Sequence, residues 1–288
     1  MRGNPIYPLK NTMPDIGDVA SLTILRETSI GHYLDGGRDL GDILLPRAEV
    51  PPRALLGSKV EVFLYRDSQD RPIATTKRPK ALPGEFALLK VAQSTSVGTF
   101  LDWGLQKDLL LPFSEQKESC LPGRSYIVYV YVDKISNRII ASRRLSKFFE
   151  RDPHFEGQQK VSLLIYGKGD RGYSAIIDQR ARGFLYHDNT SRQLQLGELT
   201  TGYIYQLRAD GKIDLTLHPP VHSQVDELTE EILTRLRENN GHLPYHDRTD
   251  PEVIAEEFGV SKKAFKRALS SLYREKLITM NDDSISLN

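Results

Sequence analysis

Gly98-Thr99-Phe100-Leu101-Asp102 lies in register with Gly31-His32-Tyr33-Leu34-Asp35, and the sequence around both segments keeps step. Three glycines recur at nearly fixed offsets: Gly17, Gly31 and Gly57, then Gly84, Gly98 and Gly123, then Gly157, Gly172 and Gly197. Leu45-Pro46 falls over Leu111-Pro112. Each copy also closes alike, on Arg71-Pro72-Ile73-Ala74-Thr75, Arg138-Ile139-Ile140-Ala141-Ser142 and Lys212-Ile213-Asp214-Leu215-Thr216. A period of roughly 70 residues is too long for a solenoid repeat and suits a small independent domain repeated three times.

Within the first copy the β-rich runs are short and separated by turn residues: Val19 to Leu25, Gly31 to Asp35, Ile43 to Leu45, Lys59 to Arg66 and Ile73 to Thr76. Five such strands in so short a unit predict a small Greek-key barrel of the oligonucleotide-binding (OB) kind. Alternation in the second strand sets Thr99 and Leu101 on one face and Phe100 with Asp102 on the other. An aromatic ring sharing a face with a carboxylate is expected to meet water. The competing reading is that Phe100 and Tyr33 pack on a neighbouring domain or rim. Trp103 and the run Tyr126, Tyr129, Tyr131 are expected to be mostly core, since aromatics favour strands in any case.

The pattern Gly98-x-Phe100-Leu101-Asp102, a short apolar strand, Gly123, a β run ending in Val132-Asp133, then Arg138 to Ser142 resembles the S1-type RNA-binding domain, and the resemblance covers all three copies. It implies an exposed aromatic at Tyr33 and Phe100. Copy three has Ser174 there, with Tyr173 as its aromatic neighbour. A histidine of the family at the end of the third strand is replaced by Pro46, Pro112 and, in copy three, Tyr186 with His187 beside it. The family's acid and base positions fall on Asp67 with Arg71, Asp133 with Arg138, and Asp210 with Lys212. Half of the family's ligand face is altered, which implies a changed affinity or nucleotide preference.

After His218-Pro219-Pro220 the vocabulary changes. Val225, Leu228, Ile232, Leu233 and Leu236 recur at helical spacing. Asp250-Pro251 opens a second helix with Val253, Ile254 and Phe258 on one face. Gly259-Val260-Ser261 then turns the chain into a third helix, Lys262 to Glu275. Leu277 to Met280 and Ser284 to Leu287, joined by Asn281-Asp282-Asp283, read as a β-hairpin, so the segment resembles a winged-helix domain. Lys262, Lys263, Lys266 and Arg267, with Arg274, form a basic strip suited to phosphates. The competing reading is a solvated face on a packing or dimerising domain. The expected architecture is thus multidomain: three small five-stranded OB-fold (S1-type) β-barrels over 1–80, 81–152 and 153–220, and an α/β winged-helix domain over 221–288. Taken together, this resembles the conserved virulence factor B (CvfB, YitL) family of bacterial RNA-binding regulators, across the whole chain.

Composition agrees with a folded, water-soluble chain: 288 residues, 39% hydrophobic and 27% charged. The longest apolar or aromatic run, Tyr126 to Val132, is far short of the roughly 18 residues needed to cross a bilayer, and Met1-Arg2-Gly3-Asn4-Pro5 leads into no signal core. A cytoplasmic protein without membrane partners is expected, and the lone Cys120 fits a reducing compartment and a structural role. Net charge is +1 overall. Residues 221–288 hold nine basic and thirteen acidic residues, net −4, leaving +5 for 1–220, which permits a polyanion partner without demanding one.

Other motifs are set aside on context. Gly167-Lys168-Gly169-Asp170-Arg171-Gly172 spells G-x-G-x-x-G, but a strand follows it and no helix N-terminus is there to hold a pyrophosphate, so it reads as a hairpin turn. His218 with His222 and His242 with His246 have the i, i+4 spacing of a metal pair, yet Pro219, Pro220 and Pro244 interrupt any helix. No catalytic signature is present, so a non-enzyme without cofactor or metal is expected. The leading functional expectation is a sequence-tolerant binder of single-stranded RNA, gaining avidity from weak sites in tandem. The binding set is Tyr33, Arg71, Phe100, Arg138, Tyr173, Tyr186, His187, Lys212, Lys262, Lys263, Lys266 and Arg267. The alternatives are a duplex-DNA regulator acting through the winged helix, and a protein-interaction scaffold on the translation machinery. The sequence leaves the oligomeric state open.

Overall fold

The computed structural model describes residues 13–190, 192–219 and 221–288, the side chains of 221–227 excepted. The opening Met1 to Pro5 segment and the side chains of His222 and Val225 lie outside the described residues. Two compact units are present. The first runs to Pro153 and takes in Ser162–Gly183 and Leu194–Thr200; the second comprises His154–Val161, Phe184–Gln193 and Thr201–Asn288.

Three closed five-stranded barrels follow one another along the chain. The first is built from β1 (Val19–Thr28), β2 (Gly31–Asp35), β3 (Asp42–Pro46), β4 (Lys59–Arg66) and β5 (Pro72–Thr75), with one helical turn, α1 (Gly37–Leu40), between β2 and β3. The second uses β6 (Phe86–Ser94), β7 (Gly98–Asp102), β8 (Leu109–Pro112), β9 (Ser125–Asp133) and β10 (Arg138–Ser142). The third uses β11 (Lys160–Gly169), β12 (Gly172–Ile177), β13 (Ala181–Tyr186), β14 (Leu199–Leu207) and β15 (Ile213–Thr216). In each, the third and fifth strands pair in parallel, which closes the sheet and leaves no free edge. Every second residue faces inward: Leu34, Ile43, Leu45, Leu64 and Ala74 fill the first barrel, Leu101, Leu109, Leu111, Val128, Val130 and Ala141 the second.

Two devices recur with the repeat. The glycine that opens the second strand, Gly31 or Gly98, takes φ near +150°, and a Cβ on it would meet the carbonyl oxygen of Leu45 or Leu111, so only glycine lets the third strand come this close. A short 3-10 turn after the third strand supplies a carboxylate to the end of the fifth: Glu49 accepts from the Thr75 hydroxyl, and Glu115 from that of Ser142.

The first two barrels share a seam. Phe63 and Tyr65 join Ala81, Trp103 and Leu105 in a single buried cluster continuous with the second barrel's core. The Trp103 indole N–H donates to the Lys107 carbonyl at 2.6 Å, and its ring meets Phe63 edge-on. Polar contacts flank the cluster. Arg66 donates to the Asn137 carbonyl (3.0 Å), Arg138 pairs with Asp70 (2.8 Å), and Lys107 donates to the carbonyls of Arg66 and Asp67. A second aromatic cluster joins Phe86, Tyr129, Phe148 and Phe149 to Leu164, Tyr166 and Ile176, with Gln179 bonded to both backbone groups of Phe86. Trp103 is thus buried, as expected of a core residue, in the cluster that joins the first two barrels, while Tyr129 is partly buried against the second cluster and Tyr131 meets Phe148 beside it.

The C-terminal domain packs α2 (Val221–Glu238), α3 (Pro251–Phe258) and α4 (Lys262–Arg274) around Leu228, Ile232, Leu236, Ile254, Phe258, Phe265, Leu269 and Leu272. Asp250 caps α3 and Ser261 caps α4, each side chain accepting a backbone N–H, and Gly259 ends α3 in the left-handed region. β16 (His242–Leu243), β17 (Ile278–Met280) and β18 (Ile285–Leu287) form the small sheet of the wing. Val253, expected on the buried face of α3, is 39% exposed; the face is set by Ile254 and Phe258, four residues apart. No helix among the described residues is long and apolar enough to cross a membrane.

Candidate nucleic-acid interface

Cross-strand register builds the candidate surface. In the first barrel the pairings Arg26–Tyr33, Tyr33–Leu44, Leu44–Ile73 and Ile73–Tyr65 line up one row on the outside of the sheet. In the second, Gln93, Phe100, Leu110, Ile140 and Tyr131 form the same row, because directly paired residues project to the same side. Both rows end in the seams, at Tyr65 and at Tyr131, which stacks with Tyr129 and meets Phe148 at a tilt. Burial pushes the Tyr131 phenol up to about 12, with Glu115 and Asp133 adding to the shift. Toward the opposite ends, Tyr33 and Phe100 belong to neither seam cluster and remain partly open. Thr99 and Leu101 are buried on either side of Phe100, as parity requires. The expected outward aromatics are thus in place.

The two rings differ in cover. The Arg26 guanidinium lies 3.6 Å above the Tyr33 ring and is held by Asp42. No ring or cation stacks on Phe100 among the described residues. A β-bulge sits at this point in every copy, the register slipping between Ile24 and Arg26, Val91 and Gln93, and Ile165 and Gly167. The slip turns the following side chain onto the face of the aromatic.

The third barrel departs from this pattern. Ser174 pairs with Gly167 where the others pair ring with polar side chain. Tyr173, proposed as its stacking residue, is only 1% exposed and its hydroxyl accepts from the Leu194 N–H. It occupies the inward position of Thr99 and His32, so strand parity removes it from any ligand face. Gly167 to Gly172 is a tight β11–β12 hairpin turning at Asp170-Arg171, as its context implied. In the second unit, Tyr186 contacts Phe184 edge-on at 4.8 Å and His187 is exposed on the turn that follows. Asp214, paired in register with Phe184, is 8% exposed and its Oδ1 has no hydrogen-bond partner among the described residues.

The basic positions fall into two groups. Arg71 binds Asp67 through both Nε and Nη2, and Lys212 binds Asp210, leaving each cation exposed at a hairpin turn. Arg138, expected beside Asp133 on the ligand face, is instead taken by Asp70 of the first barrel, while Asp133 accepts from Ser136. Its first task is the seam. On α4, Lys262 donates to the Arg248 carbonyl and Lys266 pairs with Asp247. Lys263 and Arg267, one turn apart, are exposed without an ion-pair partner among the described residues. Sequence reasoning missed Arg26 and Gln93, whose positions depend on a bulge that no residue pattern announces.

Comparison with known proteins agrees with this geometry. S1 domain models match residues 16–77 and 83–143, and a CvfB-like winged helix domain matches 230–287. The protein YitL of Bacillus subtilis is 31% identical over 267 residues, spanning 90% of this chain and 89% of its own length. The chain belongs to the conserved virulence factor B family. Conserved virulence factor B of Staphylococcus haemolyticus is 26% identical over 268 residues, covering 88% of this chain and 89% of that protein. A multidomain protein with nucleic acid binding domains from Streptococcus pneumoniae aligns over 95% of this chain and 98% of its own, at 21% identity and a TM-score of 0.41.

Proposed function

We propose that this family member is a non-catalytic cytoplasmic binder of single-stranded RNA, acting as a regulator of transcripts through base stacking on the first two barrels and phosphate contacts from flanking lysines and arginines. The observation that carries the reading is the Phe100 ring, outward on an S1 barrel with no ring or cation stacked on it among the described residues. Such platforms stack any base, because every base has a π-face. The reading is tested by comparing single-stranded RNA with duplex DNA in a gel shift at one fixed salt concentration. Preference for RNA by the intact chain, and by residues 13–219 alone, is the expected result; equal or tighter binding of duplex DNA would overturn it.

A second reading, duplex DNA held by the winged helix, is favoured by Lys263 and Arg267 on α4, exposed and without an ion-pair partner among the described residues. It is opposed by the wing tip, where Asp282 and Asp283 are exposed. Carboxylates there would face the phosphates that a wing normally approaches.

A further inference from the structure

We infer that Gln93 is the base-reading residue of the second barrel and gives an otherwise tolerant surface a preference for adenine. The inference rests on the RNA-binding reading above and deepens it. The bulge at Ala92 places Gln93 directly opposite Phe100 on the outer face. Gln93 is exposed, and its amide has no hydrogen-bond partner among the described residues. The first barrel shows how far a side chain at this register reaches: Arg26 lies 3.6 Å above the Tyr33 ring. Gln93 is shorter than Arg26 but is paired directly with Phe100 across the strands, so a base stacked on Phe100 has its edge beside the Gln93 amide. On the base edge that carries N7, the donor and acceptor of that amide complement adenine N6 and N7, whereas guanine presents two acceptors there and a pyrimidine has no N7; it is this edge that Gln93 reads. The third barrel, with Gly167 and Ser174 at the two positions, has neither platform nor reader.

The test uses the full chain and short fluorescent oligo(A), oligo(C) and oligo(U), with affinities measured by anisotropy at one salt concentration. Gln93→Ala is expected to weaken oligo(A) binding by roughly fivefold or more while changing oligo(U) far less, with the melting temperature unmoved. Gln93→Glu keeps the shape but removes the amide donor and should lose the same preference, so the test stands even if the alanine variant folds poorly. If both variants retain the wild-type ratio of oligo(A) to oligo(U) while Phe100→Ala weakens all three RNAs, stacking stands and the base-reading role falls. Equal binding by wild type and Phe100→Ala on every RNA would instead remove the platform, and Gln93 with it.

Discussion

Phe100 and Leu101 are neighbours on one strand with opposite surroundings, and substitution separates them. Phe100→Ala should cost RNA binding on the order of 1 to 3 kcal/mol with little change in melting temperature; Leu101→Ala should destabilise the fold by roughly 2 to 5 kcal/mol. Tyr33→Ala should cost less binding than Phe100→Ala, because Arg26 already covers the Tyr33 ring; affinity and melting temperature on the same variants check all three. Asp214 tests the repeat differently. It stands where the other copies have Ile73 and Ile140, and it buries a carboxylate oxygen that has no partner among the described residues. An unsatisfied buried polar group costs about 1 to 3 kcal/mol, so Asp214→Ile should raise stability by a gain of that order in chemical denaturation. A loss would mean that Asp214 has a bonding role in the fold.

At the level of strands and turns, most of the architecture is legible in the sequence, because turn residues and alternation are local signals. The strands of the first barrel lie within a few residues of the runs read from composition, and parity alone orients Phe100 correctly. Carried to copy three, the same parity argument turns Tyr173 inward, which its place beside the vacant aromatic position obscures. The bulges at Leu25, Ala92 and Tyr166 are not legible, since an extra residue in one strand shows only against its partner. Arg138 reads from sequence as a ligand-face residue because its partner, Asp70, lies on another domain, and a repeat-by-repeat pattern holds one domain at a time. The glycine at the start of each second strand gives an element-scale prediction. Gly98→Ala would force a side chain into a region nearly reserved for glycine, with its Cβ 2.7 Å from the Leu111 carbonyl oxygen. It should destabilise the second barrel by about 2 kcal/mol or more, seen as a lower denaturation midpoint.

Over the whole molecule, charge enters both the proposed binding and the flank of the seam between the first two barrels. About four phosphate contacts to a single strand imply a log-log dependence of affinity on salt with slope near −3; a flat dependence would remove the electrostatic part of the proposal. At the seam, the Arg138 hydrogen bond holds the Asp70 carboxyl below its ordinary value of 3.8. A carboxyl whose folded value lies below its unfolded one stabilises the fold above the unfolded value and ceases to do so as pH falls through the folded value. Acidification below about 3.8 should therefore weaken the seam, and Asp70→Asn should remove that part of the acid sensitivity. The molecule carries its own optical gauge for this. Trp103 is the chain's single tryptophan, and it lies 2% exposed in that seam, its indole bonded to Lys107 and edged against Phe63. Indole emission from the intact protein is thus a spectroscopic signal from one place, and a red shift on acid, denaturant or RNA would time the opening of that joint without any added label.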